Sequence, residues 1–394
     1  MLHYYAFSNF QSFRERVEVN LTMNQKSSLN DWMIIAPTGE RVSKVMAVIG
    51  PNGSGKTALL KPVVFADWFI TQSFQIQPDA NIPIASHFAE STQPSEFEFL
   101  VDYDNRLWRY VLRCNQQRVL HEALYQKKER FGYVFVRDWD ESNKNYFVKQ
   151  QDFGMTPLEA KKVRQNASLI STAAQYGVPL AVELASHSVI SNVNALGRRT
   201  LDESAVLNAA EYFSLYPNQA ANMSKLLSTW DLGLSKVELK QVSAPTNEDP
   251  MRSIWVPFGL HQLKKGAVSL PFALESSGTQ GAFVLLSLLL QALENGGIAV
   301  IDEFENDLHP HMIEPILNLF ANPSINTKNA QLIFTCHAIE VLNLINKSQV
   351  ILVEKNRLCE SSVSRLDNIV GIRNDDNFYA KYMAGAYGAI PSFN

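Results

Sequence analysis

Gly50-Pro51-Asn52-Gly53-Ser54-Gly55-Lys56-Thr57 decides how this chain is read. The octapeptide fits G-x-x-x-x-G-K-[ST], the pattern of a phosphate-binding loop. Before it, Lys44-Val45-Met46-Ala47-Val48-Ile49 reads as a buried strand. After it, residues from Thr57 to about Ile70 carry an apolar face at helical spacing. Strand, glycine loop and helix form the context in which the pattern becomes a site. The glycines let the backbone wrap closely, so that amides from Asn52 to Thr57 point at phosphate oxygens at a helix N-terminus. Lys56 would reach the β- and γ-phosphates of ATP, and the Thr57 hydroxyl would ligate Mg²⁺. The competing reading is a glycine-rich turn in which four fixed positions coincide by chance.

A partner for this loop lies far downstream. Gly297-Ile298-Ala299-Val300-Ile301-Asp302-Glu303 is a short apolar strand ending in two acids. Asp302 at the strand tip would hold Mg²⁺ directly or through water, and Glu303 would polarise the attacking water as general base. An apolar run ending in Asp-Glu is common alone; beside an intact P-loop on the same chain it reads as a Walker B element.

The bulk composition narrows the class less. With 394 residues, 46% of them hydrophobic, the chain can bury a large core, and its length suggests two or three domains. A formal net charge of −4 gives no global drive toward DNA or membrane. Basic clusters at Lys127-Lys128, Lys161-Lys162-Arg164, Arg198-Arg199 and Lys264-Lys265 read first as solvated faces and second as partner surfaces. Cys114, Cys336 and Cys359 are odd in number and widely spaced, which argues against a disulfide framework or zinc site and fits a reducing cytosol. No secretory signal is visible at Met1-Leu2-His3-Tyr4-Tyr5, and the longest apolar run, Gly281 to Leu293, is too short to span a bilayer. A cytoplasmic protein without membrane partners is expected.

Along the chain, the patterning implies an α/β head split by an insertion. Residues 1–75 would form the N-terminal half with the P-loop, including two strands around the turn Asn9-Phe10-Gln11-Ser12-Phe13. Residues 76–152 read as β-rich, with Asp104-Asn105 as a hairpin turn. Residues 153–265 read as a mainly helical insertion or arm with return strands, opening at Thr156-Pro157-Leu158-Glu159. Residues 266–394 would complete the head. The separation of 245 positions from Thr57 to Asp302 is too long for a simple P-loop domain, and the absence of heptads predicts a short, globular projection.

Two further segments carry a resemblance. Glu275-Ser276-Ser277-Gly278-Thr279-Gln280 opens an apolar helix ahead of Walker B and resembles the signature motif of ABC-type ATPases; ordinary N-cap chemistry is the alternative. Gln331-Leu332-Ile333-Phe334-Thr335-Cys336-His337 is a strand ending in a histidine, placed where ABC-type ATPases carry their switch histidine. A lone histidine is otherwise usually structural. Asn306-Asp307-Leu308-His309 occupies the D-loop position, and Gln72 and Gln175 compete for the Q-loop. The start Tyr5 to Phe13, Pro94 to Glu98, Asn166-Ala167-Ser168-Leu169, Asp302-Glu303-Phe304 with Leu308-His309-Pro310, and the ending Tyr382 to Pro391 extend the likeness along most of the chain.

The whole is similar to the OLD/AbiL-like branch of ABC-type ATPases, which are often described as AAA proteins. The resemblance implies an ABC/SMC/RecF-like P-loop ATPase head with an antiparallel β subdomain and a helical insertion between Walker A and the signature. It implies ATP and Mg²⁺ as ligands, with Glu303 and His337 catalytic and Thr57 and Asp302 at the metal. It implies a head-to-head homodimer, or higher oligomer, in which Ser277 and Gly278 of one subunit contact the γ-phosphate on the other. It further implies an anti-phage defence system in which the ATPase regulates a separate toxic effector, a nuclease or toxin, in response to a nucleic-acid or phage-protein trigger. OLD nucleases carry a TOPRIM domain after the ATPase. The 57 residues after His337 are too few for one, and Asp375-Asp376 reads as a solvated helix start, so no nuclease activity is expected of this chain. The competing class is a RecF- or SMC-like DNA-binding ATPase of repair; a transporter subunit is a weaker third.

Overall fold

The strand that leads into the P-loop, Val45–Ile49, is buried at every position. The computed structural model describes residues 1–390 except 24–29, 187–188, 231, 245–252, 306–307 and 374. In it this strand lies inside a six-stranded sheet of order Val189–Ser191, Ile298–Ile301, Gln331–Thr335, Val45–Ile49, Val350–Lys355, Ser361–Arg365. The first five strands are parallel and the last is antiparallel. Strands covered on both faces read as continuous apolar runs, which is why these segments show little alternation. Their side chains nonetheless divide by period two: Met46 and Val48 enter one core, and Val45, Ala47 and Ile49 enter the other.

The first core lies under a seven-stranded antiparallel sheet of order Asn145–Gln150, Phe131–Asp140, Val119–Lys127, Arg106–Cys114, Ser95–Tyr103, Leu2–Ser8, Val17–Asn20. It packs on the P-loop helix, Lys56–Gln72: Phe65 and Phe97 have ring centroids 5.1 Å apart, and the Tyr5 hydroxyl donates to Leu59 O at 2.9 Å. Asp104 and Asn105 turn the Ser95–Tyr103/Arg106–Cys114 hairpin with φ of 49° and 57°, the left-handed pair a two-residue turn requires. In the strands Val119–Lys127 and Phe131–Asp140 of this sheet, Glu122 and Arg137 are fully buried and 3.5 Å apart. Arg137 donates to Val163 O and Ala167 O at 2.8 Å, while Glu122 accepts from the Ser168 hydroxyl at 2.6 Å. The helix Leu169–Gln175, capped by Ser168, is joined to the sheet through this network.

The second core is covered by Glu203–Leu215, Pro217–Thr229, Ser277–Asn295 and Ile313–Ala321. Phe283 packs between Phe213 and Phe272, with centroids at 5.3 and 4.8 Å. Burial of such rings contributes about 1.5–3 kcal/mol each. Lys236–Ser243, Ser253–Leu263 and Gly266–Pro271 form a three-stranded antiparallel sheet next to this layer. Residues 245–252, between the first two of these strands, fall outside the described residues.

One element departs from the sequence reading. Within the stretch read as helical, the capping box at Thr156 does start the helix Pro157–Lys162. But Val189–Ser191 is an edge strand of the parallel sheet, paired with the Walker B strand Ile298–Ile301. Three residues are too few to show a period, and only the pairing decides their conformation. Among the described residues, no helix is long and apolar enough to cross a membrane.

Candidate nucleotide site at the carboxyl ends of the parallel strands

Val45–Ile49, Ile298–Ile301 and Gln331–Thr335 run in register and end together, so the P-loop, Asp302-Glu303 and His337 leave the sheet on one edge. Ligands of open α/β sheets bind outside the carboxyl ends of the strands. The P-loop follows Ile49 and the helix begins at Lys56, with Gly53 and Gly55 at φ of 73° and 111°. Gly50 and Gly55 are required by close approach. A Cβ on Gly50 would lie 2.2 Å from Val353 O, and one on Gly55 would lie 2.6 and 2.7 Å from the hydroxyls of Ser361 and Ser12. Ser361 Oγ stands 2.6 Å from Ser54 O, so the N-terminal turn and the Ser361–Arg365 strand buttress the loop from behind. Asn52 and Gly53 are exposed on its front.

Lys56 is buried, and its Nζ donates to Gly50 O at 2.8 Å and Pro51 O at 3.0 Å. Burial lowers its ammonium pKa from the ordinary lysine range, against the opposing pull of Asp302, Glu305 and Glu303. The Thr57 hydroxyl donates to Asp302 Oδ2 at 2.8 Å. On its other oxygen, Asp302 accepts from the Thr335 hydroxyl at 2.7 Å. Thr335 Oγ1 in turn accepts the Glu303 amide at 2.7 Å. The Asn192 side chain brackets the Asp302 backbone, accepting from its N–H at 2.8 Å and donating to its carbonyl at 2.9 Å. Asp302 is therefore fixed from three elements, its carboxylate by Thr57 and Thr335 and its backbone by Asn192.

Glu303 has φ of 49°, a left-handed conformation uncommon for residues other than glycine and frequent where function dictates backbone shape. Its carboxylate pairs with Arg198 at 3.0 Å. Glu305 accepts the His337 backbone N–H, while its Oε2 is buried without a hydrogen-bond partner. His337 itself is exposed at the mouth of the site.

A cradle shaped by glycines, a buried ammonium, and the paired oxygens of Thr57 and Asp302 suit a nucleoside triphosphate with Mg²⁺, which prefers hard oxygen donors and retains several waters. Asn306 and Asp307 of the expected D-loop lie outside the described residues. Gln72 and Gln175 do not join the site. Gln72 ends the 17-residue P-loop helix, about 25 Å from its start at 1.5 Å per residue, and Gln175 lines a cleft with Phe74 and Gln75 at that same end. Asp376 is an ion-pair partner of Lys381 at 2.7 Å and caps the Arg373 amide.

Ser277 and Gly278 begin the helix Ser277–Asn295, where Ser276 is the N-cap and accepts the Thr279 amide at 3.1 Å. Ser277 is exposed, and among the described residues no hydrogen bond joins it or Gly278 to the P-loop. The preceding Glu275 is held 2.7 Å from His261 Nε2, which ties this turn to the three-stranded sheet. Sequence reasoning missed Asn192, Arg198, Glu305 and Thr335 as site residues. Thr335 sat within a segment already singled out and Arg198 within a basic cluster; Asn192 had no signal at all.

A protein-family model described as "AAA domain, putative AbiEii toxin, Type IV TA system" matches residues 45–343. The chain is similar to a solved structure titled "Crystal structure of the SmcHead bound to the C-winged helix domain of ScpA", with 12% identity and a TM-score of 0.48 over 92% of this chain and 96% of that one. It is also similar to an SMC head domain from Thermotoga maritima, with 12% identity and a TM-score of 0.43 over 92% and 98%. No curated protein matches it. The α/β P-loop head with an antiparallel β subdomain, expected from the sequence, is the architecture observed. The family match runs from the P-loop strand past His337 and encloses Lys56, Thr57, Ser277, Asp302, Glu303 and His337. Covering well over half of the residues, it shows that the chain belongs to this AAA-domain family of P-loop ATPases.

Proposed function

We propose that the chain hydrolyses ATP as an ABC-type head that closes on a second copy of itself, and that this cycle regulates a separately encoded toxic effector in anti-phage defence. The observation that carries the reading is the Thr57–Asp302 hydrogen bond at 2.8 Å beside buried Lys56, with Glu303 next in the chain. Lys56 would neutralise the β- and γ-phosphates, and the P-loop amides from Asn52 to Thr57 would hold them. Thr57 and Asp302 would hold Mg²⁺, which when bound supplies charge neutralisation of the phosphates. Glu303 would accept a proton from the attacking water, and His337, exposed on the same edge, would contact the γ-phosphate.

Exposed Ser277 and half-buried Gly278 stand on a helix N-terminus, where backbone amides favour anions. On a second subunit they would close over the γ-phosphate, making closure conditional on ATP. Such differential contact is what allows a nucleotide to bias a two-state assembly. The role in defence, with a nuclease or toxin as effector and a phage component as trigger, rests on the OLD/AbiL resemblance. The family description, naming AbiEii and a toxin–antitoxin system, supports the same setting more broadly.

The test is the Glu303→Gln protein with Mg-ATP, followed by light scattering and phosphate release. Hydrolysis should fall by about 10²–10⁴-fold with ATP binding retained, and an ATP-dependent dimer should accumulate. Unchanged turnover would remove Glu303 as base. Capture of the trapped dimer from cells expressing its flanking genes should recover one stoichiometric effector; recovery of DNA with repair factors alone would replace this output with a RecF-like one.

A further inference from the structure

Beside the nucleotide edge lies a cleft of about 630 Å³, lined among others by Asn192, Arg198, Arg199, Gln291 and Glu303. Among the described residues, no P-loop residue lines it. The Glu303 side chain thus faces a cleft on the flank of the site, with Oε2 taken by the Arg198 guanidinium at 3.0 Å. A general base for water attack has to present its carboxylate toward the γ-phosphate.

Arg198 is delivered by a built element. Residues 192–199 form a tight hairpin: Val193 bridges Arg198, the Arg199 amide donates to Asn192 O at 2.7 Å, and the Asn194 amide donates to Gly197 O at 2.8 Å. The base of the hairpin grips Walker B, since the Asn192 side chain holds both the N–H and the carbonyl of Asp302. Its tip is held by the P-loop helix, where Lys61, one turn after Thr57, donates to Ala195 O at 3.1 Å. The contacts that anchor this hairpin at its base and its tip therefore come from elements that would hold Mg-ATP.

We propose that Arg198 is a positioning residue of the hydrolytic reaction: it withholds Glu303 in the flanking cleft, and turnover requires this ion pair to open. The proposal rests on the reading of Glu303 as general base. Movement of the P-loop helix or of Asp302 on nucleotide binding reaches Arg198 through Lys61 and Asn192, so the base is released only when the phosphate site is filled. Both side chains are partly exposed, at 29% and 39%, so the pair is weak enough to open and open to screening by salt.

Steady-state ATPase measurements on the full chain test this. Arg198→Ala should raise kcat about two- to fivefold with KM unchanged, the range that a partly exposed pair supports. Arg198→Lys, which keeps the charge, should stay near the parent, and Arg199→Ala should leave kcat unchanged. Raising salt from about 0.05 M to about 0.5 M shortens the screening length several-fold. It should speed the parent toward the Arg198→Ala rate while leaving that variant flat. A kcat that falls or stays constant in Arg198→Ala, or a salt response that survives in it, overturns the proposal. Should Arg198→Ala fail to fold, a parent whose kcat does not rise with salt overturns it equally. Turnover retained in Glu303→Gln would instead sink the assignment of the base, so the two failures are distinguishable.

Discussion

Thr57 and Asp302 are 245 residues apart in the chain and hydrogen-bonded at 2.8 Å in the structure. The segment between them, including five strands of the seven-stranded sheet and the helices of residues 157–229, is accommodated without separating the two halves of the nucleotide site. The bond exists because Val45–Ile49 and Ile298–Ile301 flank Gln331–Thr335 in one parallel sheet and end at the same edge.

Asp302→Asn is expected to weaken Mg-ATP binding at least tenfold while changing Mg-free ATP binding less than threefold. Asparagine offers only one acceptor oxygen where the aspartate offers two, each already engaged by a threonine hydroxyl. Titration with a fluorescent ATP analogue, with Mg²⁺ and with chelator, reads the difference; equal losses under both conditions would contradict a metal role.

Lys56→Ala is expected to abolish nucleotide-induced stabilisation. At ATP near 100 times Kd the parent should gain about 2.7 kcal/mol, and the variant close to none. Because burial already disfavours the Lys56 ammonium, the variant without nucleotide should melt no lower than the parent. Thermal melts with and without Mg-ATP decide both points.

Ser277→Asp should leave the monomer and its ATP affinity intact but prevent ATP-dependent dimerisation in a Glu303→Gln background. A carboxylate at a helix N-terminus is favourable to the fold, by about 0.3–1 kcal/mol, yet repels a phosphate presented from another subunit. Sedimentation showing an intact ATP dimer would take the signature turn out of the interface.

Asp67 predicts a pH dependence. It lies on the P-loop helix and accepts the Val189 amide at 3.0 Å. Burial pushes its carboxyl up from 3.8 to about 7. The folded state therefore binds a proton that the unfolded state releases. Its contribution is fully present below pH about 4 and is lost as pH rises through about 7. Asp67→Asn keeps the acceptor without the charge. It should be more stable than the parent at pH 8, on the order of 4 kcal/mol, with the difference vanishing toward pH 4. Denaturant melts across that range would show it; a gap independent of pH would refute the assignment.

Glu122→Ala should destabilise by about 3–5 kcal/mol, because it strands the fully buried Arg137 without its counter-charge. Glu122→Gln, which can still accept from Ser168, should cost less. Equal urea midpoints for the two variants would place the whole cost in the lost charge and contradict a share for the Ser168 hydrogen bond.

The P-loop, the acids after Ile301 and the strand ending at His337 were legible from residue type and order, since each is a local pattern: glycines at fixed spacing, or an apolar run closed by a polar group. The helix starts at Thr156 and Ser276 were legible for the same reason, through capping chemistry. The strand Val189–Ser191 was not, because three residues carry no period. Gln72 and Gln175 were plausible by order alone and are excluded by helix length, which carries them to the end of Lys56–Gln72 opposite the P-loop.

What the sequence by itself determined is the chemistry on offer: a phosphate cradle, two acids at a strand tip and a histidine at another, along one chain. The tertiary structure alone decided who touches whom. It set Ser12 and Ser361 behind Gly55, Asn192 around Asp302, and Arg198 on Glu303. These contacts join residues as much as 349 positions apart. No local propensity encodes them, because they arise only when strands from distant segments pair in one sheet and their loops meet at its edge.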